Sequence, residues 1–507
     1  MDAEAPATIA LASARGRWVL AVTVLGSGMA FLDSTIVNVA LPTIGRDLGA
    51  STGELQWVLS GYLLTLASLI LLGGSLGDRY GRRKVFVFGA VLFSAASLLC
   101  ALAPSPGALI AARLIQGVGG ALLTPGSLAI IEASFRVKDR PRAIGAWSGM
   151  TGVATALGPL LGGYLIGAVS WRAAFLINVP LGALLVVFAH HVPETRDPQA
   201  HGRLDFAGAL LAALALAGST YALIEGSQGA SAFAIAVTGG VGVLAFATFL
   251  RVERRAASPM LPLNIFSSQF TAANVLTFVV YAALGGMFFL LVSFLQISLG
   301  YSPVAAGAAS LPVTLLMLCF SPSSGTLAQR IGPRLQLSLG PAIVALGMLM
   351  MTQIDGSSSY LTGVLPAVVV FGAGLTLVVS PITATVLAAA GESRAGIASG
   401  VNNAVARVAS LLAVALLPLI AGLTGTKFYD PAAMTHGFHV AMLACAVLAA
   451  AGGAYAWRAI DNDVLASRTR AQRAGEAVPE EITPPVVACP LPLQPTPGPT
   501  RTQRTRA

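Results

Sequence analysis

The chain is cut into blocks of apolar residues about 17 to 30 long, each close to the roughly 20 residues an α-helix needs to cross about 30 Å of hydrocarbon. Charged residues fill only 10% of its 507 positions, against about 25% in soluble proteins, so a water-soluble fold has no way to hide this surface. Fourteen spans result: Trp18 to Leu41, Leu55 to Leu76, Val85 to Leu102, Gly107 to Ile131, Ile144 to Val169, Ala173 to Ala189, Leu204 to Ile224, Ala232 to Leu250, Phe270 to Leu295, Ala305 to Leu327, Leu335 to Met351, Tyr360 to Ala389, Ile397 to Leu423 and Phe438 to Trp457. The pattern predicts an all-α integral membrane protein with no large soluble domain. The first block carries Asp33 and is too long for a cleavable signal peptide, so it is expected to stay as the first span.

Cytoplasmic loops collect Lys and Arg, which tests the count. With the N terminus inside, 25 of the 30 Lys and Arg fall in inner segments, and only Arg46, Arg172 and Lys427 lie in outer ones. A missed or invented helix would invert every later loop, so the even number of spans and two cytoplasmic termini are expected. The inner membrane of a bacterium is the expected location. The formal charge of +9 then reads as topology and not as a nucleic-acid surface, since no recognition motif accompanies it. Cys100, Cys319, Cys445 and Cys489 show no paired spacing, and His190, His191 and His201 sit in a basic loop without supporting ligands. No metal, cofactor or enzymatic activity is expected.

The chain also repeats itself. Spans 2 and 3 are joined by Gly74-Ser-Leu-Gly-Asp-Arg-Tyr-Gly-Arg-Arg83, and spans 10 and 11 by Gly325-Thr-Leu-Ala-Gln-Arg-Ile-Gly-Pro-Arg334, with Gly, Leu, Arg, Gly and Arg shared. A duplicated six-helix bundle leaves such a trace. The predicted organisation is an N-terminal tail (1–17), a first bundle (18–190), a two-helix insert (204–250), a second bundle (270–457) and a disordered Pro- and Thr-rich tail (458–507). In the first loop, Gly77 and Gly81 are expected to let two helix ends approach closely, and Asp78 to pair with Arg82 or cap a neighbouring helix. Such a loop, by pinning the halves together on the inner side, would favour an outward-open state. Gln329 replaces the acid in the second copy, so its charged latch is expected to be lost.

These residues, Gly74, Gly77, Asp78, Arg79, Gly81 and Arg82 among them, resemble motif A of the major facilitator superfamily. Further matches resemble its fourteen-helix drug:proton antiporter family: Leu32-Asp-Ser-Thr-Ile-Val-Asn-Val-Ala-Leu-Pro42 in span 1, Arg113-Leu-Ile-Gln-Gly-Val-Gly-Gly120 in span 4, Gly152 with Gly158-Pro-Leu-Leu-Gly-Gly163 in span 5, then Trp171-Arg-Ala-Ala-Phe-Leu-Ile-Asn-Val-Pro-Leu-Gly182, Gln296 to Pro303 and Gly400-Val-Asn-Asn403. The resemblance covers about residues 18 to 457. It implies two six-helix bundles plus two inserted helices, and export of lipophilic or cationic small molecules in exchange for protons, without nucleotide. None of the three lysines lies in a phosphate-binding Gly-rich loop. An uptake carrier of the same fold is the alternative. The expected partners are a small-molecule substrate, protons and lipid, with the chain acting as a monomer.

Ionisable side chains deep in a bilayer cost on the order of 3 kcal/mol each, so the few present are candidates for function. Asp33 in span 1 and Arg113 in span 4 are expected at matching depths of roughly 12 and 9 Å, where each could offset the desolvation of the other. Burial disfavours an ionised carboxylate and a guanidinium favours it, so moving Arg113 would tune proton uptake by Asp33. Arg407 lies near mid-membrane, one turn beyond Asn403, and either lines a cavity or binds backbone carbonyls. Gly158, Pro159, Gly162 and Gly163 permit a bend and close contact in span 5, as a gating helix needs. Asn38, Gln116, Trp57, Tyr62, Tyr281, Phe288, Asn403 and Arg407 are the candidate lining of a substrate cavity, with aromatic rings suited to lipophilic or cationic ligands. Glu132 and Glu225, at span ends, read as solvated anchors.

Overall fold

A computed structural model describes residues 9–136, 139–197, 204–256, 259–391 and 394–465. Lys138, His201, Arg203, Cys489 and the tail from residue 466 lie outside them. Sixteen α-helices are described: α1 (Ala14–Leu48), α2 (Thr52–Tyr80), α3 (Arg82–Ala101), α4 (Pro106–Ser134), α5 (Arg140–Ala168), α6 (Ala173–Leu176), α7 (Asn178–Phe188), α8 (Phe206–Ser227), α9 (Ala232–Arg255), α10 (Ser268–Ile297), α11 (Pro303–Ala309), α12 (Leu311–Ile331), α13 (Pro333–Met351), α14 (Leu365–Ala390), α15 (Ala395–Ile420) and α16 (Pro431–Ala459). They form 14 helical segments long and apolar enough to cross a membrane.

Local chemistry sets the helix ends. Ser51 and Glu54 form a reciprocal capping box on α2, and Ser105, Ser231, Ser267, Ser302 and Asp430 each accept a backbone N–H at the start of a helix. Gly49 ends α1 at φ +64°, a conformation that spares an L side chain its steric clash. The expected tenth span is broken at Ser310 into α11 and α12, where Pro312 near the start of α12 removes one main-chain donor. The first span runs past its expected ends to Ala14 and Leu48.

Two bundles share one packing scheme. In the first, α1 packs on α5 and α7, and α4 lies between α2 and α3; in the second, α10 packs on α15 and α16, and α14 lies between α12 and α13. The repeat seen in the loops therefore extends to the helix contacts. The inserted pair, α8 and α9, pack on each other, and α8 touches both α2 of the first bundle and α15 of the second. Apolar side chains such as Phe233, Val243 and Leu244 on α9 point outward, as suits a lipid-facing helix. One apolar core runs through both bundles and includes Val37, Leu41, Phe289 and Phe294.

The α2–α3 and α12–α13 loops mark an Arg-rich end, and the α1–α2 turn lies at the opposite, Arg-poor end. Hydrogen bonds tying one bundle to the other gather at the Arg-poor end. Gln56 donates to the carbonyls of Val414 (2.9 Å) and Ala415 (3.0 Å), Gln296 to that of Val39 (3.0 Å), Thr52 to that of Gly425 (2.8 Å), and Tyr429 to that of Ala50 (2.8 Å). Nearby, α5 and α11 cross without room for side chains. A Cβ on Gly163 would lie 2.6 Å from Val304 Cα, and one on Gly307 would lie 2.8 Å from the Pro159 carbonyl carbon.

Candidate functional site

A fully buried polar network in the first bundle is assembled from five helices. Asp33 of α1 and Arg113 of α4 form an ion pair of 2.6 Å, with 0% and 1% of their side chains exposed. A second carboxylate oxygen of Asp33 accepts from Gln116 Nε2 (2.8 Å) and from Asn178 Nδ2 of α7 (3.0 Å). Arg113 also donates to Gln116 Oε1 (2.6 Å) and, through Nε, to the Val58 carbonyl of α2 (3.0 Å). Gln116 donates in turn to Ser97 of α3 (2.7 Å). The guanidinium carbon lies 4.4 Å above the Tyr62 ring, a geometry that further stabilises the cation.

A carboxylate with three donors and a guanidinium with three acceptors can be held in a dry interior, where either alone would be strongly unfavourable. The spacing of Arg113 and Gln116, three residues apart, puts both on one face of α4. Asn178 and Ser97 were not foreseen. Asn178 had a visible signal, a lone amide in an apolar span within the stretch from Trp171 to Gly182, whereas Ser97 offers none, because a serine in a membrane helix commonly bonds its own backbone.

Several residues expected to line a cavity serve this network or the scaffold instead. Tyr62 and Gln116 are buried partners of Arg113. Trp57 donates to Glu225 (3.1 Å) and lies near Tyr221, so its indole ties α2 to the insert, and Glu225 is a buttress more than a solvated anchor. Half-buried positions recur at helical spacing on α1 (Phe31, Ser34, Thr35, Asn38) and on α10 (Tyr281, Leu284, Gly285, Phe288). Arg407 of α15, in none of the ion pairs among the described residues, stacks over the Phe31 ring at 5.5 Å and lies within electrostatic reach of the Tyr62 and Tyr281 hydroxyls. Asn403 on the same helix is half-buried, as is Glu132 at the end of α4.

Motif A lies at the Arg-rich end. Asp78 pairs with Arg82 (2.7 Å), while Glu194, just beyond α7, accepts from the main-chain N–H groups of Arg83 (3.1 Å) and Lys84 (3.2 Å) at the start of α3. Gly81 adopts φ +116°, and a Cβ there would lie 2.6 Å from the Glu194 carboxylate, so its expected close approach is real. Gly77 is different. A Cβ on it would meet nothing nearer than 3.9 Å, and Gly74 has similar room, so neither is required for helix approach in this conformation. These bonds hold the loop to its own bundle and not to the other half.

The second copy repeats the design with altered chemistry. Gly332 has φ +85°, and Asn462, just beyond α16, accepts from the Arg334 N–H (3.2 Å) as Glu194 does from that of Arg83. Gln329 is exposed, and Arg334 pairs with Asp461 (3.1 Å), so a charge contact persists here from a residue outside the loop. Arg79 stands over the Tyr80 ring at 5.6 Å. Within α5, Gly158 and Gly162 face α1 at Thr35 and Ile36, Gly163 faces α11, and Gly152 faces open space. Pro159 interrupts the donor row between them.

Residues 23–414 match the sequence model of the Major Facilitator Superfamily. The chain is 37% identical over 402 residues to the multidrug resistance protein Stp of Mycobacterium tuberculosis, covering 78% of this chain and 74% of that one. It is 36% identical to the methylenomycin A resistance protein of Bacillus subtilis, covering 90% and 97%. With the tetracenomycin C resistance and export protein of Streptomyces glaucescens it shares 36% identity, covering 82% and 78%. Among solved structures, a bacterial homologue of the human lysosomal transporter Spinster, in an inward-facing and unoccupied conformation, superposes with a TM-score of 0.62 at 18% identity, covering 90% and 98%. A bacterial homologue of the human drug peptide transporters PepT1 and PepT2 superposes with a TM-score of 0.64 at 16% identity, covering 90% and 100%.

Proposed function

The chain belongs to the major facilitator superfamily and is a multi-pass membrane transporter, and from that premise we propose that it is a proton-coupled antiporter exporting small lipophilic or cationic compounds by alternating access. The supporting observation is the Asp33–Arg113 pair, an ionisable carboxylate buried in apolar surroundings with a partner on a different helix. When α4 shifts, the guanidinium withdraws, and a desolvated carboxylate regains stability most readily by taking a proton. Proton and export substrate then act on one group from opposite sides of the membrane. The half-buried faces of α1, α10 and α15, with Arg407, Asn38, Asn403, Tyr281 and Phe288, form the substrate path in this reading.

The positive charge supports an orientation with the Arg-rich end and both termini in the cytoplasm. The crossing hydrogen bonds and the α5–α11 contact then seal the outer side, with Pro159 and Gly163 as the gate. Motif A forms its latch between halves only after the protein turns outward. One chain suffices, since each of these contacts is made within it.

The test is Asp33→Asn in cells loaded with a fluorescent cation. Membrane insertion should be preserved and gradient-dependent efflux abolished; full gradient-dependent efflux by the variant removes Asp33 from the mechanism. The uptake alternative predicts higher accumulation in cells carrying the native protein, lost when the proton gradient is collapsed.

A further inference from the structure

A pair of carboxyl groups sits at the Arg-rich end of the insert, away from Asp33. Asp205 caps α8 by accepting the Gly208 N–H through Oδ1 (2.7 Å), and Glu253 near the end of α9 accepts the Leu261 N–H through Oε2 (2.9 Å). Glu253 is only 3% exposed. The remaining oxygens, Asp205 Oδ2 and Glu253 Oε1, are buried without a hydrogen-bond donor. They face one point: a Cβ on Gly208 would stand 2.5 Å from the first and 2.7 Å from the second. The two side chains are within hydrogen-bonding reach of each other.

Two ionised carboxylates are acceptors only, so this contact has no donor and adds like-charge repulsion. Among the described residues no cation compensates it in an ion pair, and Arg251, Arg254 and Arg255 on α9 are exposed to solvent. On α8 the next acid, Glu225, is at the far end, bonded to Trp57. The segment between α9 and α10 contributes the Leu261 N–H and no charged side chain near the pair. A single proton removes both defects at once, turning one acid into the missing donor and halving the charge.

We propose that Asp205 and Glu253 form a second proton-binding site, in which one shared proton clasps the base of the α8–α9 hairpin. Because Glu253 also holds the Leu261 N–H, the clasp fixes the point where the insert hands the chain to α10 of the second bundle. Because α8 touches both bundles, loosening it bears on the seam along which they move. The site does not depend on the antiport reading, which concerns Asp33.

The experiment is amide hydrogen exchange of residues 256–265 in the full-length protein in lipid nanodiscs, corrected for intrinsic rates, from roughly pH 6 to 9. The native protein should lose about tenfold or more of its protection at the Leu261 amide as the pH rises and the proton leaves. In Glu253→Gln the amide donates to Asp205 and still accepts from Leu261, so protection should persist without pH dependence; Asp205→Asn should behave alike and covers the case that the first variant misfolds. Flat protection in the native protein, or a titration unchanged in both variants, overturns the proposal. Recovery of protection at high pH on adding magnesium or calcium also overturns it, assigning the pair to a cation.

Discussion

The charges of Asp33 and Arg113 can be removed singly or together, and the geometry sets how the three variants should differ. Asp33→Leu leaves the guanidinium with the Gln116 and Val58 acceptors, takes one of two acceptors from the Gln116 amide and strands that of Asn178. Breaking a buried pair from one side costs about 3 to 5 kcal/mol, and the two surviving acceptors argue for about 4. Arg113→Leu leaves a carboxylate still bonded to two amides, and proton uptake limits the loss to about 3 kcal/mol. Asp33→Leu with Arg113→Leu leaves no buried charge, only stranded amides and altered packing, or about 4 kcal/mol in total. The coupling is then about 3 kcal/mol, at the upper end of measured pairs. Unfolding midpoints of the four proteins in mixed micelles, titrated with a denaturing detergent, give the cycle directly. Additivity to within about 0.5 kcal/mol would refute the reasoning, because it would mean that the 2.6 Å contact carries no interaction of its own.

Gly163→Leu should wedge α5 away from Val304, reduce efflux by roughly tenfold or more through the lost 1.4 kcal/mol or more of closure, and widen spin-label distances across the Arg-poor end; unchanged distances would exclude that end as a tight crossing. Trp57→Phe removes one indole donor to Glu225, so stability should fall by about 1 kcal/mol, read as a lower thermal midpoint, while efflux is retained. The Tyr429 hydroxyl is pushed up to about 12, first by burial and then by the Glu54 carboxylate. A folded-state value above the unfolded one contributes stability that is complete below about pH 10 and lost as pH rises through about 12. Tyr429→Phe should flatten that alkaline loss in a thermal-shift series.

Span number and the Asp33–Arg113 contact were legible because a bilayer imposes strong rules, on span length and loop charge for the first and on the expense of a lone charge for the second; the repeat was legible because two inner loops share five residues. Orientation of individual side chains about a helix was not. Trp57 and Tyr62 lie on one helix five residues apart, and nothing in their types tells that one faces α8 and the other Arg113. Hydrophobic periodicity, the usual guide, is weak where both lipid and core are apolar. Glu194 and Asn462 were missed for a different reason: each follows the last helix of a bundle and acts on a loop more than 100 residues earlier, a relation that only the folded repeat reveals. The break in the tenth span at Ser310 is a case where Pro312 was visible but reads equally well as a tolerated kink.

At the Arg-poor end, each side chain that reaches across to the other bundle ends on a main-chain carbonyl. Among the described residues these crossing bonds include no ion pair, so salt has little grip on the bonds themselves. Separating the halves exposes neutral amides and hydroxyls that water can serve, and none of the bonds broken is itself between charges. A door fastened in this manner can open and shut many times at modest expense, leaving the electrostatic decision of when to move to the charged pair inside.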